Sequence, residues 1–555
     1  MKPACVKAGR RWRVMLLALL AVGAVGCRAR SPWDFSDVSL SDRLGPSPLR
    51  GAGDDLELPR IAHEGDKKFE LSVDGPLRVS IEEAVMVALK HNRALRVQEV
   101  SPTIAGTFVE LERAVFDPRV FAGASVLKEA SQEVSRATSA AFKVRRQETL
   151  VDLGIAKDFS TGTSIEVTAS EQRTYSNRSP EQHQFRLGLT LTQALLRGAD
   201  MEANTARIAQ AELDVLASRY QLRGFAEALV AEVENTCWDY ALAQRQIAIF
   251  EDSLKLAQQA QDEIQKRIDA KTLTEIELAP AKSEVALRRQ QLIDANANLH
   301  RNRLVLLKLL SAGSAQGWDR QVELTSLPVD ERAPLDEVGD HVALGMRMRP
   351  ELSETKIQIE QGRLAVVQTR NGLLPRLDVF VTLGKSGFAD SFYEALDIVS
   401  SDDHDLRLGF RFEYALGNRA AEANHLRTLA TRYQAGRSLQ NLAQLVELDV
   451  RLAHNEVKRS LEQIDASKVT REAQEATVRA ETEKLRAGKS TGLQVAQSQR
   501  DLLAARIAET ESYVAYRKAL IALYRLDGTL LKRRAIQAPG DKPYASYLTK
   551  EQLEK

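Results

Sequence analysis

Two long stretches of this chain carry no proline, one between Pro180 and Pro280 and the other between Pro375 and Pro539. Proline removes a backbone donor and clashes with the preceding turn, so its absence over such lengths permits unbroken helix. Ala, Glu, Gln, Leu and Arg, strong helix formers, dominate both stretches. The pattern predicts helices over about 201–270 and 273–311, and over about 418–486 and 492–527. Leu278, Val285, Leu292, Leu299 and Leu306 fall seven apart, which is the seam of a coiled coil. A 70-residue helix reaches about 105 Å at 1.5 Å per residue. No globular domain needs such a rod, so the two pairs read as long antiparallel hairpins. Aromatic residues make up only 5% of the 555 positions, thin filling for a large globular core. At 44% hydrophobic and 28% charged the chain is not disordered. Its 77 Lys and Arg against 76 Asp and Glu leave no basic surplus, so nucleic acid is not an expected partner.

The chain also repeats itself. Leu213 to Gln221 matches Leu426 to Gln434 at an offset of 213, Glu202-Ala203-Asn204 matches Glu422-Ala423-Asn424, and Val87-Ala88-Leu89 matches Val342-Ala343-Leu344. Such self-similarity comes before any fold assignment. Each repeat reads as helix, strands, long helix, helix. The spacing of the matches leaves repeat 1 with 35 extra residues ahead of its long helix.

Between the helices the period changes from helical to twofold. Phe185, Leu187, Leu189 and Leu191 alternate with Arg186, Gly188, Thr190 and Thr192. Leu377, Val379, Val381 and Leu383 alternate with Arg376, Asp378, Phe380 and Thr382, and Leu406, Leu408, Phe410 and Phe412 with Asp405, Arg407, Gly409 and Arg411. Val151, Leu153 and Ile155, then Ile165 and Val167, do the same around a turn at Asp158–Gly162. Strands of this length that are apolar on one face and polar on the other fit a transmembrane barrel, lipid outside and lumen inside. A half-exposed soluble sheet shows the same alternation. The N-terminus favours the barrel.

Residues 1–13 carry five basic residues and no acid, and Val14 to Gly26 is a 13-residue apolar run, so 1–26 reads as a secretory signal peptide. Its removal lowers the net charge from +1 to −4. Ala24-Val25-Gly26-Cys27 resembles a bacterial lipobox, which implies that Cys27 is acylated and becomes the mature first residue. In lipoproteins of this kind an Asp after the Cys favours the inner membrane. Arg28 stands there, which implies the outer membrane. With Cys5 lost and Cys27 lipidated, Cys237 remains alone, so neither a disulfide framework nor a cysteine metal site is expected. No other 18-residue apolar run occurs.

Leu189 to Gly198 before a long helix, Arg349-Pro350-Glu351-Leu352 opening repeat 2, and Asn371 to Leu377 entering a strand resemble the TolC family of outer-membrane efflux channels. Ile81 to Ala84 and Ala88 to Asn92 resemble that family's first helix. The resemblance spans about 77–530 and implies a mainly α fold with a membrane β-barrel portion, in which tandem helical hairpins form an α-barrel tunnel. It implies a homotrimer, each protomer giving four strands to a shared barrel, working with a periplasmic adaptor protein and an inner-membrane transporter of the RND or ABC class. The domains then read 1–26 signal peptide, 27–76 lipid-anchored tether, 77–312 repeat 1 with strands about 119–192, 313–334 linker, 335–530 repeat 2 with strands about 376–414, and 531–555 tail. The 35 extra residues predict an additional hairpin at about 148–175, so four strands undercounts this chain.

By the same resemblance, the turns at Lys271-Thr272-Leu273 and Gly488-Lys489-Ser490 are where adaptor hairpins dock and the tunnel closes. The family's acidic gate positions, aligned on Gly488, fall on Gln494 and Gln497, which predicts a neutral constriction held by amide hydrogen bonds. The function implied is a passive conduit, the outer-membrane component of a tripartite efflux pump or type I secretion system in a Gram-negative cell. The alternative is a lipid-anchored periplasmic coiled-coil tether without a pore, which would need no twofold strands. No catalytic residues, metal or cofactor are expected beyond the lipid on Cys27. Gly488-Lys489-Ser490 ends like a phosphate loop, but Glu483 stands where the first Gly belongs and a helix precedes it. Asp402, Asp403, His404 and Asp405 read as a solvated loop, and Cys237, Trp238 and Tyr240 as packing residues.

Overall fold

A computed structural model of the chain describes residues 62–63, 75–134, 139–272, 274–310, 317–325, 332, 334–398, 404–487, 489–540, 542 and 544. The chain divides into residues 1–58 and 59–555, and every described residue belongs to the second unit. Cys27, Leu273 and Gly488 lie outside the described residues.

In chain order β1 (Ala62–His63) falls within the expected tether, and the first repeat holds β2 (Leu77–Val79), α1 (Ile81–His91), α2 (Arg93–Glu99), α3 (Ser101–Arg113), β3 (Arg119–Val134), β4 (Ala141–Asp158), β5 (Thr163–Ser176), β6 (Gln182–Ala194), α4 (Met201–Asp269) and α5 (Leu278–Leu309). Then follow β7 (Val322–Leu324), α6 (Val338–Met348), α7 (Pro350–Asn371), β8 (Arg376–Ala389), α8 (Phe392–Ile398), β9 (His404–Glu413), α9 (Arg419–Arg486), α10 (Gly492–Leu526), α11 (Leu530–Arg533) and β10 (Ile536–Gln537). α4, α9 and α10 lie within the proline-free stretches, and α5 follows the heptad seam. α5 starts at Leu278, the first residue of its heptad seam and five residues after the expected boundary at 273, following a 3-10 turn at Glu275–Glu277, and takes Pro280 into its first turn, where a missing N–H is harmless.

Local signals set the helix starts. Ser80 and Glu83 form a reciprocal capping box on α1, the Glu83 amide donating to the Ser80 hydroxyl (3.2 Å) and the Ser80 amide to the Glu83 carboxylate (2.8 Å). Asp200 caps α4 by accepting from the Glu202 amide at 3.0 Å, and Pro350 opens α7.

The main core sits around the middle of α4. Leu222, Val233 and Cys237 of α4 pack there with Leu306 and Leu307 of α5 and Leu530 and Leu531 of α11, all 2% exposed or less. Cys237, Trp238 and Tyr240 are buried packing residues, and the Tyr240 hydroxyl donates to the Val322 carbonyl at 2.7 Å. Residues expected to form a linker and a tail are built into this core. β7 pairs in parallel with β2, and β1 pairs antiparallel with β10. The segment after residue 526 is strapped across α4. The buried Arg223 guanidinium donates to the Gly528 and Gly540 carbonyls at 2.8 and 2.9 Å, the Tyr220 hydroxyl to the Lys542 carbonyl at 2.7 Å, and Arg534 to Glu234 at 2.6 and 2.8 Å.

α4 and α9 begin 218 residues apart and end 217 apart. The Leu213 to Gln221 match at an offset of 213 is therefore out of structural register by about one helical turn. Periodic helices resemble themselves when slid by a turn, which is why the local match misleads.

Candidate functional site: a two-faced sheet and the tips of two helical hairpins

Six strands form one antiparallel sheet in the order β3-β4-β5-β6-β8-β9. The family count of four strands per protomer is therefore corrected to six. The additional hairpin is β4 and β5, joined by a turn at 159–162 in which the Gly162 amide donates to the Phe159 carbonyl at 3.0 Å. Gly162 has φ +75°, and a Cβ there would strike the Gly198 carbonyl, so only glycine lets the turn seat against the start of α4. Asn204 completes the joint by donating to the Ser160 and Gly198 carbonyls at 2.8 and 2.7 Å.

Register separates the faces. One row crosses all six strands as Val120, Ile155, Val167, Leu189, Leu383 and Leu406. Nearer the helices, the row Ile165, Leu191, Val381 and Leu408 is apolar and ends at Lys157 on β4, and Val379 and Leu377 face Phe410 and Phe412. Leu406, Leu408, Phe410 and Phe412 are each at least 60% exposed in the single chain. Such an exposed apolar face marks a surface made for another phase or partner. The opposite face runs Arg119, Ala156, Glu166, Thr190, Thr382 and Arg407. It is laced by ion pairs, Arg119 with Asp158 at 3.1 Å and Arg186 with Asp405 at 2.6 Å. Two of its aromatics, Phe121 and Phe380, lie over Gly154 and Gly409, where any Cβ would collide with the ring. At the junction with the helices this face borders a cavity of about 640 Å³ lined by Asp158, Arg197, Arg376, Asp378, Glu413 and Asn418 among others.

At the other end of the rods the hairpin turns are small. α4 ends with the Lys271 amide donating to the Ile268 carbonyl and the Thr272 amide to the Arg267 carbonyl, at 2.8 and 2.9 Å. This pair of bonds is a Schellman motif, with Lys271 at φ +55° in the position that glycine usually fills. α9 closes with the matching bond from the Lys489 amide to the Lys484 carbonyl, 2.8 Å. The Ser490 hydroxyl donates to Glu481 at 2.8 Å and lies 2.9 Å from the Gln494 side-chain oxygen. Lys484 first, and then this hydroxyl, hold the Glu481 carboxyl below its usual range.

Gln494 is the N3 residue of a capping box. Its side chain accepts from the Thr491 amide at 3.3 Å, and its amide donates to the Thr491 hydroxyl at 3.4 Å. Gln497 is exposed one turn further on. Gln494 thus also has a local task. Gln494 starts the helix, and the sequence signal was the Thr491-x-x-Gln494 spacing itself. No group of His, Cys, Asp and Glu able to hold a metal occurs among the described residues, and none of their helices is long and apolar enough to cross a membrane.

An open sheet with one apolar and one polar face, fused to paired rods in a tandem repeat, is the architecture of a channel protomer. The family model for outer membrane efflux proteins matches residues 85–312 and 346–529, and the chain belongs to that family. No curated protein matches it in sequence. Among solved structures it is similar to the outer-membrane channel OprN, with a TM-score of 0.62 at 18% identity over 85% of this chain and 98% of that one. The CmeC outer membrane channel of Campylobacter jejuni gives 0.61 at 13% identity over 90% and 97%. The outer membrane protein VceC of Vibrio cholerae gives 0.59 at 14% over 81% and 96%. The protein is thus a TolC-like outer-membrane efflux family member, a channel fold and not an enzyme.

Proposed function

We propose that this chain assembles as a homotrimer into the outer-membrane duct of a tripartite efflux pump or type I secretion system, a passive conduit that carries no energy source of its own. The observation that carries the reading is the sheet. Its apolar face is continuous across six strands, while its polar face opens on the cavity above the helical rods. A periplasmic tether has no use for either face. Cys27, following a signal peptide over 1–26, anchors the mature chain to the outer membrane, and residues 27–76 reach from that anchor to the folded body. The turns at Lys271-Thr272-Leu273 and Gly488-Lys489-Ser490 meet the periplasmic adaptor, which links the duct to an RND or ABC transporter. Gln494 and Gln497 form a neutral constriction near the tunnel axis at the closed tip, beside Lys489 and Ser490.

The test is purification from outer-membrane fractions followed by recording in planar bilayers. A duct gives an SDS-resistant, heat-dissociable oligomer and discrete conductance steps, and replacing Gln494 and Gln497 with Asp raises its cation preference. A tether gives neither an oligomeric barrel nor conductance.

A further inference from the structure

The sheet has two unpaired edges, β3 and β9, and the stagger of its strands says how a second copy meets them. The row through the first residue of β3, Arg119, reaches Ala156, Glu166, Thr190, Thr382 and finally Arg407. The helix-proximal ends of the strands fall progressively past that row. β4 ends at Asp158, β5 starts at Thr163, β6 ends at Ala194, β8 starts at Arg376 and β9 ends at Glu413. Measured from the row, these ends lie two, three, four, six and six residues beyond it. The staircase descends by close to one residue per strand.

We infer that β9 of one subunit pairs antiparallel with β3 of the next so that Glu413 stands opposite Arg119 of the partner subunit, and that three copies close an 18-stranded barrel. This rests on the trimeric duct proposed above and deepens it. Both edge strands leave the sheet on the same side, into α3 and α9, so their helix-proximal ends must lie at one level. Aligning those ends continues the staircase unchanged. A stagger of six residues per subunit gives eighteen for eighteen strands. The ratio of rise per residue to strand spacing then sets a tilt of about 35°, within the range of closed membrane barrels.

The side chains agree with this register. On the apolar face Phe410 falls opposite the partner's Ala122 and Leu408 opposite the partner's Ala124, large against small. On the polar face Glu413 meets Arg119 of the partner subunit, whose side chain is 69% exposed beside Asp158. An apolar stripe continues from each edge into its helix. Ile104, Phe108 and Leu111 of α3 and Leu426, Leu429 and Tyr433 of α9 are all exposed at helical spacing. The seam between sheets therefore runs on into a seam between helices, and a second copy of this chain covers both.

The experiment is cysteine cross-linking in the full-length, membrane-assembled protein, whose own Cys237 is buried. One variant carries Leu408→Cys with Ala124→Cys, a second carries Arg411→Cys with Phe121→Cys on the opposite face, and a control carries Leu408→Cys with Val120→Cys. Facing residues in antiparallel strands lie about 5 Å apart, whereas the control is displaced by four residues, about 13 Å. Mild oxidation should give covalent dimers and trimers in at least one aligned variant, at least tenfold above the control. Cross-linking of the control in preference to the aligned pairs overturns the register. A trimer by native mass in which neither aligned pair links overturns the barrel seam while leaving the duct intact. A protein that is monomeric in the outer membrane overturns both.

Discussion

The long helix of repeat 1 and the long helix of repeat 2 differ by one residue in length, yet they live in different surroundings. α4 buries a succession of side chains from Ala203 to Ala257, among them Leu222, Val233, Cys237 and Tyr240. α9 buries six, all between Val446 and Ser467, and leaves Leu426, Tyr433, Leu448 and Leu452 more than half exposed. The sheets differ in the same sense, with four strands from repeat 1 and two from repeat 2. Repeat 1 builds the interior of the protomer. Repeat 2 supplies a rod and a strand edge finished for contact with something else. Sequence duplication has thus been followed by division of labour, and the division is visible in burial rather than in length or composition.

The sharpest way to break that contrast is to truncate one leucine in each rod. Leu222→Ala, in a side chain with no exposure, should lower stability by about 2–5 kcal/mol. Leu429→Ala should leave folding of the single chain unchanged and lower the dissociation temperature of the oligomer. Thermal melts by circular dichroism beside SDS gels at graded temperature separate the two. Equal losses in chain stability would mean that both rods are interior.

The additional hairpin can be compared with the repeat 2 sheet in the same way. Leu408→Arg and Leu153→Arg both place a charge on the apolar face, and each should cost about 2–4 kcal/mol if that face meets the centre of a bilayer. Heat-modifiable protein in outer-membrane fractions reports the loss, with Arg411→Ala as a tolerated change on the other face. Tolerance at Leu153 with failure at Leu408 would place the β4–β5 hairpin outside the lipid-facing surface.

A smaller effect concerns the charges buried in α4. Burial pushes the Glu227 carboxyl up to about 7, against the opposing pull of Arg223 3.0 Å away. In the folded chain this group holds its proton over a pH range where the unfolded chain has released it. Its contribution is therefore complete below about pH 4.5 and is lost as pH rises towards 7. Glu227→Gln should flatten that slope, read as unfolding midpoints between pH 4.5 and 8. An unchanged slope would mean that Glu227 is ionised throughout.

The least effect is expected at the tips. Lys271 occupies a left-handed position where the sequence of the other repeat has Gly488. Lys271→Gly should relieve a backbone penalty of about 1 kcal/mol, offset in part by glycine's added freedom in the unfolded chain. Slower hydrogen exchange at Thr272 would register it, and faster exchange would show that the lysine side chain is what steadies the turn.

The rods and the dyad strands were legible because each depends on period alone, 3.6 in one case and 2 in the other. The additional hairpin was legible as an excess of residues, and the structure extends it to Ala141–Ser176. α8 was missed: seven residues between two strands give a period too little room, and its place against β6, with Phe392 edge-on to Phe185 at 6.4 Å, is a tertiary fact. The segment after residue 530 was read as a tail because its short strand and single helical turn carry no pattern of their own. Its partners Tyr220, Arg223 and Glu234 lie some three hundred residues away. The Thr491-x-x-Gln494 spacing carries the signal of a capping box, and that local interaction describes the geometry of Gln494.

The strap across α4 gives the molecule a built-in check on completeness. A chain stopped before residue 527 would leave the Arg223 guanidinium with Glu227 but without its two carbonyl acceptors, and the buried Glu234 carboxylate without Arg534. Stranded charges of that kind destabilise a fold by several kcal/mol. A truncated product would then fail at its own centre, before it could take part in any assembly.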